Sequence, residues 1–170
     1  QGNLDKAILA YNKAISIKPG NVDAHNNIGN ALKEQGKLDE AIEAYTKALS
    51  IKHDNAEAHT NMGAALKEQG NLDKAILAYN KAISIKPDYA EAHNNIGNAL
   101  QEQGKLAEAI EAFNEALLIK PDFTKSWGNL YFSLQAIKYK LKSGQILYAL
   151  YPKDVNSNSG KIELSILDYK

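Results

Sequence analysis

The sequence predicts an all-α solenoid, a stack of short helix pairs sharing one continuous core. Three observations carry that reading. Glycines recur every 34 residues at Gly2, Gly36, Gly70 and Gly104, as do Gly29, Gly63 and Gly97 and the alanines Ala7, Ala41, Ala75 and Ala109. A fixed period of this length is the signature of a repeat array. A longer repeat lies on top of it: QGNLDKAILAYNKAISIKP at 1–19 recurs unchanged at 69–87, and AHNNIGNAL at 24–32 recurs at 92–100. The unit duplicated most recently was therefore a pair of repeats. Apolar residues follow the helical period, and no strand-like alternation or hairpin signal occurs before residue 160.

Residues 1–21 read as a half repeat, the second helix alone, with Leu4, Ile8, Tyr11 and Ile15 as its apolar stripe and Pro19 behind it. That stripe lacks part of its cover. The chain thus reads as a fragment, with self-association through this helix as one way to cover the face. Full repeats follow at 22–55, 56–89 and 90–123. In the first of them, residues 22–35 place Ala24, His25, Ile28, Gly29, Ala31 and Leu32 on one arc of the helical wheel. Asp23, Asn26, Asn27, Asn30, Lys33 and Glu34 fill the other arc. Gly36 ends this first helix, because glycine takes the left-handed cap conformation without a Cβ clash. Leu38, Ala41, Ile42, Tyr45, Ala48 and Leu49 mark a second amphipathic helix. Pro19, Pro87 and Pro121 follow the second helices, where proline stops a helix without breaking its interior. His53 takes that place in one repeat.

Gly29, Gly63 and Gly97 interrupt good helices at a cost of roughly 1 kcal/mol each relative to alanine. A recurring cost on one face implies close approach of a partner helix, received at Ala41, Ala48 and their equivalents. A single pair cannot bury its apolar faces, so neighbours must stack.

Residues 124–170 read as a degenerate repeat and helical cap. Trp127 and Leu130 keep the pattern, but Tyr131 stands where the small residue belongs, Lys138 replaces the turn glycine and Ser143 replaces an alanine. The expected elements are a long first helix at 124–142, a second at 144–151 ended by Pro152 and a loop at 155–160. Residues 160–170 fit a strand by the alternation of Ile162, Leu164 and Ile166 or a helix by the spacing of Ile162, Ile166 and Tyr169, and helix is favoured because every earlier element is helical. Charge shifts here: residues 1–123 hold 13 Lys against 17 Asp and Glu, and residues 124–170 hold 7 against 3. The tail also holds five of the nine tyrosines, with Trp127 and Phe132. It reads as a cap over the last repeat or, alternatively, a docking surface for a downstream domain.

The 170 residues are 44% hydrophobic and 24% charged, an ordinary folded composition. Lysine supplies all 20 positive charges and 20 carboxylates balance them, so no nucleic-acid partner is expected. The apolar runs fall short of the roughly 18–20 residues of a membrane span. With no charged-then-apolar leader in view, the expected location is cytoplasmic, although the lack of cysteine does not fix the compartment. That lack excludes disulfides, thiol nucleophiles and cysteine-ligated zinc.

These residues resemble the tetratricopeptide repeat family, whose pattern is a large residue, a small one four further on, then alanine, aromatic, alanine and proline in the second helix. The first full repeat shows His25, Ile28, Gly29, Leu32, Gly36, Ala41, Tyr45, Ala48 and His53. The second shows His59, Met62, Gly63, Leu66, Gly70, Ala75, Tyr79, Ala82 and Pro87. The third shows His93, Ile96, Gly97, Leu100, Gly104, Ala109, Phe113, Ala116 and Pro121. The resemblance covers residues 1 to about 123. It implies a right-handed superhelix of antiparallel pairs whose first helices line a concave groove.

The candidate groove residues are then Asn26, Asn27, Asn30 and Lys33; Asn61 and Lys67, beside Thr60 and Ala64; and Asn94, Asn95, Asn98 and Gln101, with Asn129 continuing the column Asn27, Asn61, Asn95. An amide offers a donor and an acceptor, which suits it to the backbone of an extended polypeptide. The column is similar to the asparagine ladder of O-linked N-acetylglucosamine transferases; the alternative is a merely solvated face. The family's carboxylate clamp is not matched, because Asp23, Asn26, Glu57 and Glu91 stand where cations are needed.

His25, His59 and His93 form a column but no metal site. Equivalent residues of neighbouring repeats lie at least roughly 8–10 Å apart, whereas zinc ligands each sit about 2 Å from one ion. The wheel turns them toward the core, as packing residues. No phosphate loop, nucleotide fingerprint or nucleophile motif occurs. The expectation is a non-catalytic scaffold, without cofactor or metal, that binds an extended segment of a protein partner. The alternatives are the substrate-recognition arm of a larger glycosyltransferase or sulfotransferase, and a homotypic assembly module.

Overall fold

A computed structural model describes residues 2–141. Among them every regular element is a helix: α1 Gly2–Ile17, α2 Val22–Glu34, α3 Leu38–Ile51, α4 Ala56–Glu68, α5 Leu72–Ile85, α6 Ala90–Glu102, α7 Leu106–Ile119 and α8 Thr124–Leu141. The fold is of the α-solenoid class. The helices expected at 144–151 and 160–170 and the loop at 155–160 lie outside the described residues.

Local chemistry sets the helix ends. Gly36, Gly70 and Gly104 take φ of 76°, 80° and 77°, the left-handed region that a Cβ disfavours. In the first turn the Gly36 amide donates to Lys33 O at 2.8 Å and the Lys37 amide to Leu32 O at 2.9 Å, which satisfies two carbonyls orphaned by the helix end. At the other end, Asn21 Oδ1 accepts from the Ala24 amide at 3.1 Å and Asn55 Oδ1 from the Ala58 amide at 3.0 Å. These side chains cap α2 and α4.

The helices fall into two compact units, α1 to α5 (Gln1–Pro87) and α6 to α8 (from Asp88). In the first unit α2 pairs with α3 and α4 with α5, while α1 packs on α2 and α3 on α4. Its core gathers Ile28, Leu32, Ala41, Ala44, Tyr45 and Ala65, with Ile8, Tyr11, Ile15, Ile42 and Met62 at the edge. The close approach inferred from the glycines is present, but an aromatic ring fills each slot where Ala41, Ala48 and their equivalents were expected to lie. A Cβ on Gly29 would fall 2.5 Å from Tyr45 Cε1, and one on Gly63 would fall 2.6 Å from Tyr79 Cε1. Carbon atoms prefer about 3.5–4.0 Å, so a side chain there has no room. In the second unit Gly97 faces Phe113 in the same way.

Two helices depart from the repeat. No residue of α1 is fully buried: Ala7, Tyr11 and Ala14 are half-buried, whereas the equivalent Ala41, Tyr45 and Ala48 are fully buried. In α8, Ser126, Leu130 and Ser133 are buried, but Trp127, Tyr131 and Phe132 are exposed. Tyr131 and Phe132 meet edge to face at 5.9 Å.

Candidate binding face

The first helices α2, α4, α6 and α8 carry every candidate residue, and within each unit the structure sorts them into two rows. The inner row turns toward the neighbouring first helix. Asn26 and Asn94 are buried in it. Asn26 Nδ2 donates to Glu57 Oε1 at 3.3 Å, and Asn61 Nδ2 donates to Asn26 Oδ1 at 3.2 Å, so α2 and α4 are tied by side-chain amides. In the second unit Asn94 Oδ1 accepts from Ser126 Oγ at 2.9 Å and from Asn129 Nδ2 at 3.1 Å. Asn129 Nδ2 also donates to Asn98 Oδ1 at 2.8 Å. Thr60, in the Asn26 column, turns its hydroxyl to Ala56 O of its own helix at 2.9 Å. Lys33 Nζ pairs with Glu68 Oε1 at 3.3 Å, Lys67 is also partnered, and Gln101 is half-buried.

The outer row is open to solvent. On α2 it holds Asp23 and Glu34, both exposed, with Asn27 and Asn30 half-exposed between them. These four lie between about 80° and 140° on the wheel, whereas Asn26 and Lys33 lie at about 20–40°. The same row on α4 is Glu57, Asn61, Ala64 and Glu68; on α6 it is Glu91, Asn95, Asn98 and Glu102; on α8 it includes Lys125, Asn129 and Phe132. Acidic residues therefore close the row at both ends on the three regular helices, a feature that a reading centred on asparagines passes over. Their place on the wheel already signalled it.

Asn30 serves two structures at once. Its Oδ1 accepts from the buried Tyr45 hydroxyl at 2.8 Å. Burial, and then the carboxylates of Glu68 and Glu34, push the Tyr45 phenol well above its ordinary value, so this hydroxyl stays a donor. The outer row thus rests on the side chain that fills the Gly29 slot.

The histidine column is structural in the two repeats where its bonds are defined. His25 Nε2–H donates to Pro19 O at 3.3 Å, and His59 Nε2–H to His53 O at 3.1 Å. The Trp127 indole makes the equivalent bond to Pro121 O at 2.9 Å. Each ring ties a first helix to the turn before it. Among the described residues no three metal-ligating side chains converge, and no helix is long and apolar enough to cross a membrane. A further tie recurs without having been expected: Gln35 Nε2 donates to Asp5 Oδ1 at 2.7 Å and Gln69 Nε2 to Asp39 Oδ1 at 2.6 Å. The constant spacing of each Asp–Gln pair was its only trace in the sequence.

Family profiles and solved structures agree with this geometry. The profile described as TPR repeat matches residues 1–36, 29–70 and 65–104, and that described as tetratricopeptide repeat matches residues 90–123. A crystal structure of MamA is 29% identical with a TM-score of 0.73, covering 80% of this chain and 80% of that one. The first TPR of Spaghetti (RPAP3), bound to the HSP90 peptide SRMEEVD, is 28% identical with a TM-score of 0.66 and covers 68% of this chain and 92% of that one. The Arabidopsis OM64 TPR domain, at 23% identity and a TM-score of 0.66, covers 68% and 95% and shares the fold. No curated protein matches.

Proposed function

The chain belongs to the tetratricopeptide repeat family, and from that premise we propose that it is a non-catalytic scaffold whose first helices hold an extended segment of a partner protein. One observation carries the reading. Within each unit the outer row presents half-exposed amides, Asn27 and Asn61 in the first and Asn95 and Asn129 in the second, on helices packed against their neighbours in that unit. An extended chain offers backbone donors and acceptors along its length, and a row of side-chain amides can read them without reading sequence. Rigid mounting lowers the entropy lost on binding. A neighbour of 28% identity holds a peptide, which supports the same use of the scaffold here. The buried Asn26 and Asn94 then act as supports for the ladder, and Lys33, Lys67 and Gln101 flank it.

The test is selection of a displayed random-peptide library on the purified chain. The variant Asn27→Ala/Asn61→Ala/Asn95→Ala is run alongside. Enriched peptides should bind the parent and lose about tenfold or more on the variant, roughly 1.4 kcal/mol. Peptides that bind both equally well refute the ladder.

A second reading has its own observation. The half-exposed Ala7, Tyr11 and Ala14, whose counterparts Ala75, Tyr79 and Ala82 on α5 are buried, leave α1 a face on which a second copy could pack. Light scattering across a concentration series decides it, because a strict monomer at high concentration removes this reading.

A further inference from the structure

We infer that the face of α2 and α4 selects a basic segment, one rich in lysine or arginine; this rests on the peptide-holding reading above and specifies its ligand. The argument begins with the orientation of an amide. The Glu57 carboxylate can only accept, so the Asn26 atom beside it at 3.3 Å is the donor Nδ2. Asn26 Oδ1 must then face Asn61, and at 3.2 Å it takes a proton from Asn61 Nδ2. That bond turns the Asn61 NH2 group inward, so what Asn61 offers a ligand is its carbonyl oxygen. Asn30 Oδ1 accepts from Tyr45, which spends that oxygen inside the fold. The carboxylate at one end thus sets the polarity of the side chains that follow, and a ligand over Asn61 must bring N–H donors.

Charge points the same way. The outer rows of α2 and α4 expose Asp23, Glu34, Glu57 and Glu68. The lysines of these helices do not balance them. Lys33 pairs with Glu68 and offsets that carboxylate, so with Lys67 counted two lysines stand against four carboxylates. Carboxylates stand at both ends of each row, and between them on α4 the Asn61 carbonyl faces outward. An acidic peptide would meet like charge there, whereas lysine or arginine would meet fixed acceptors. The whole chain is neutral, so attraction for a basic peptide would belong to this face and not to a general field.

Two labelled peptides on one Gly/Ser/Ala background test this, one carrying lysines and the other glutamates at the same positions. Fluorescence anisotropy with the full chain should show the lysine peptide binding at least about tenfold tighter, with the difference shrinking as salt rises from about 50 to about 300 mM. The variant Asp23→Lys/Glu34→Lys changes two exposed side chains and should reverse the preference. Glu40→Gln/Glu43→Gln, on the exposed side of α3, should leave it unchanged. Equal binding of the two peptides, or preference for glutamate, overturns this inference while leaving the peptide-holding reading in place. Loss of the preference in the α3 variant also overturns it. Failure of either peptide to bind, together with an empty library selection, overturns both readings.

Discussion

Replacing Gly97 by alanine sets two effects of known size against each other. In a helix interior alanine is favoured over glycine by about 0.8–1.0 kcal/mol. Position 97 lies in the middle of α6, so propensity alone predicts a more stable protein. The new methyl would sit 2.6 Å from Phe113 Cδ1 and 2.8 Å from Cζ, with Cε1 closer still. Carbon–carbon contacts settle at about 3.5–4.0 Å, so the ring must retreat by about 1 Å. It has nowhere to go, being wholly buried on α7. Overpacking of this kind costs about 1–3 kcal/mol. The net expectation is a loss of about 1 kcal/mol where propensity predicts a gain of the same size. Gly128 is the control: it lies inside α8, and a Cβ there meets nothing within 4 Å. Gly128→Ala should stabilise by up to about 1 kcal/mol. Urea titrations followed by far-UV circular dichroism measure both, compared through midpoints at unchanged slope. In a Phe113→Leu background the sign at position 97 should reverse, because the ring that objects is gone. A Gly97→Ala midpoint raised as far as that of Gly128→Ala would falsify the close-approach account of these glycines.

Three further outcomes follow from other sites. Gly36→Ala should lower the melting temperature, reflecting about 1–2 kcal/mol for a side chain held at a φ of 76°. Gly36→Asn, which tolerates that region, should lose less. Asn94→Ala should cost about 1–3 kcal/mol, because it strips the acceptor from buried Ser126 and from Asn129; Asn95→Ala, half-exposed, should stay within about 0.5 kcal/mol of the parent by urea titration. Tyr45 gives stability an alkaline limit. Its folded phenol is held above the ordinary value, so above a pH of about 10 the unfolded chain releases a proton that the folded one keeps. Stability should therefore fall as pH rises past about 10, by up to about 1.4 kcal/mol per pH unit for this group. Tyr45→Phe should flatten part of that fall; an unchanged alkaline profile would contradict it.

Much of the fold is legible in the residues alone. The spacing of Gly36, Gly70 and Gly104 marks the helix ends, because a left-handed cap has few occupants other than glycine. Gly29 announces a close approach, but the small Ala41 and Ala48 suggested themselves as its partners and the Tyr45 ring is what fills the slot. The candidate face is only half legible. A helical wheel separates wet from dry, but α2 has a third side against α4, and Asn26 lies there. No periodicity distinguishes an asparagine bonded to a neighbouring amide from one facing water, since the residue type suits both. The exposure of Trp127, Tyr131 and Phe132 is not legible either. The wheel places Trp127 on the packing side of α8, yet among the described residues only part of that side is covered. The acceptor polarity of Asn61 follows from the actual bond between Asn26 and Glu57, which depends on the separation of two helices.

The chain also writes one passage twice. Residues 1–19 and 69–87 are letter for letter the same, so their intrinsic helix preference, side-chain volumes and local charge pattern are equal. They meet different surroundings: Tyr79 is 1% exposed against Gly63, whereas Tyr11 is half-exposed. The molecule therefore holds an internal standard. Any difference between Tyr11 and Tyr79 in nitration rate, or between the amides of α1 and α5 in hydrogen exchange, has no local sequence to explain it and measures tertiary context alone. Few proteins allow the contribution of neighbours to be separated from that of the segment itself without changing a single residue.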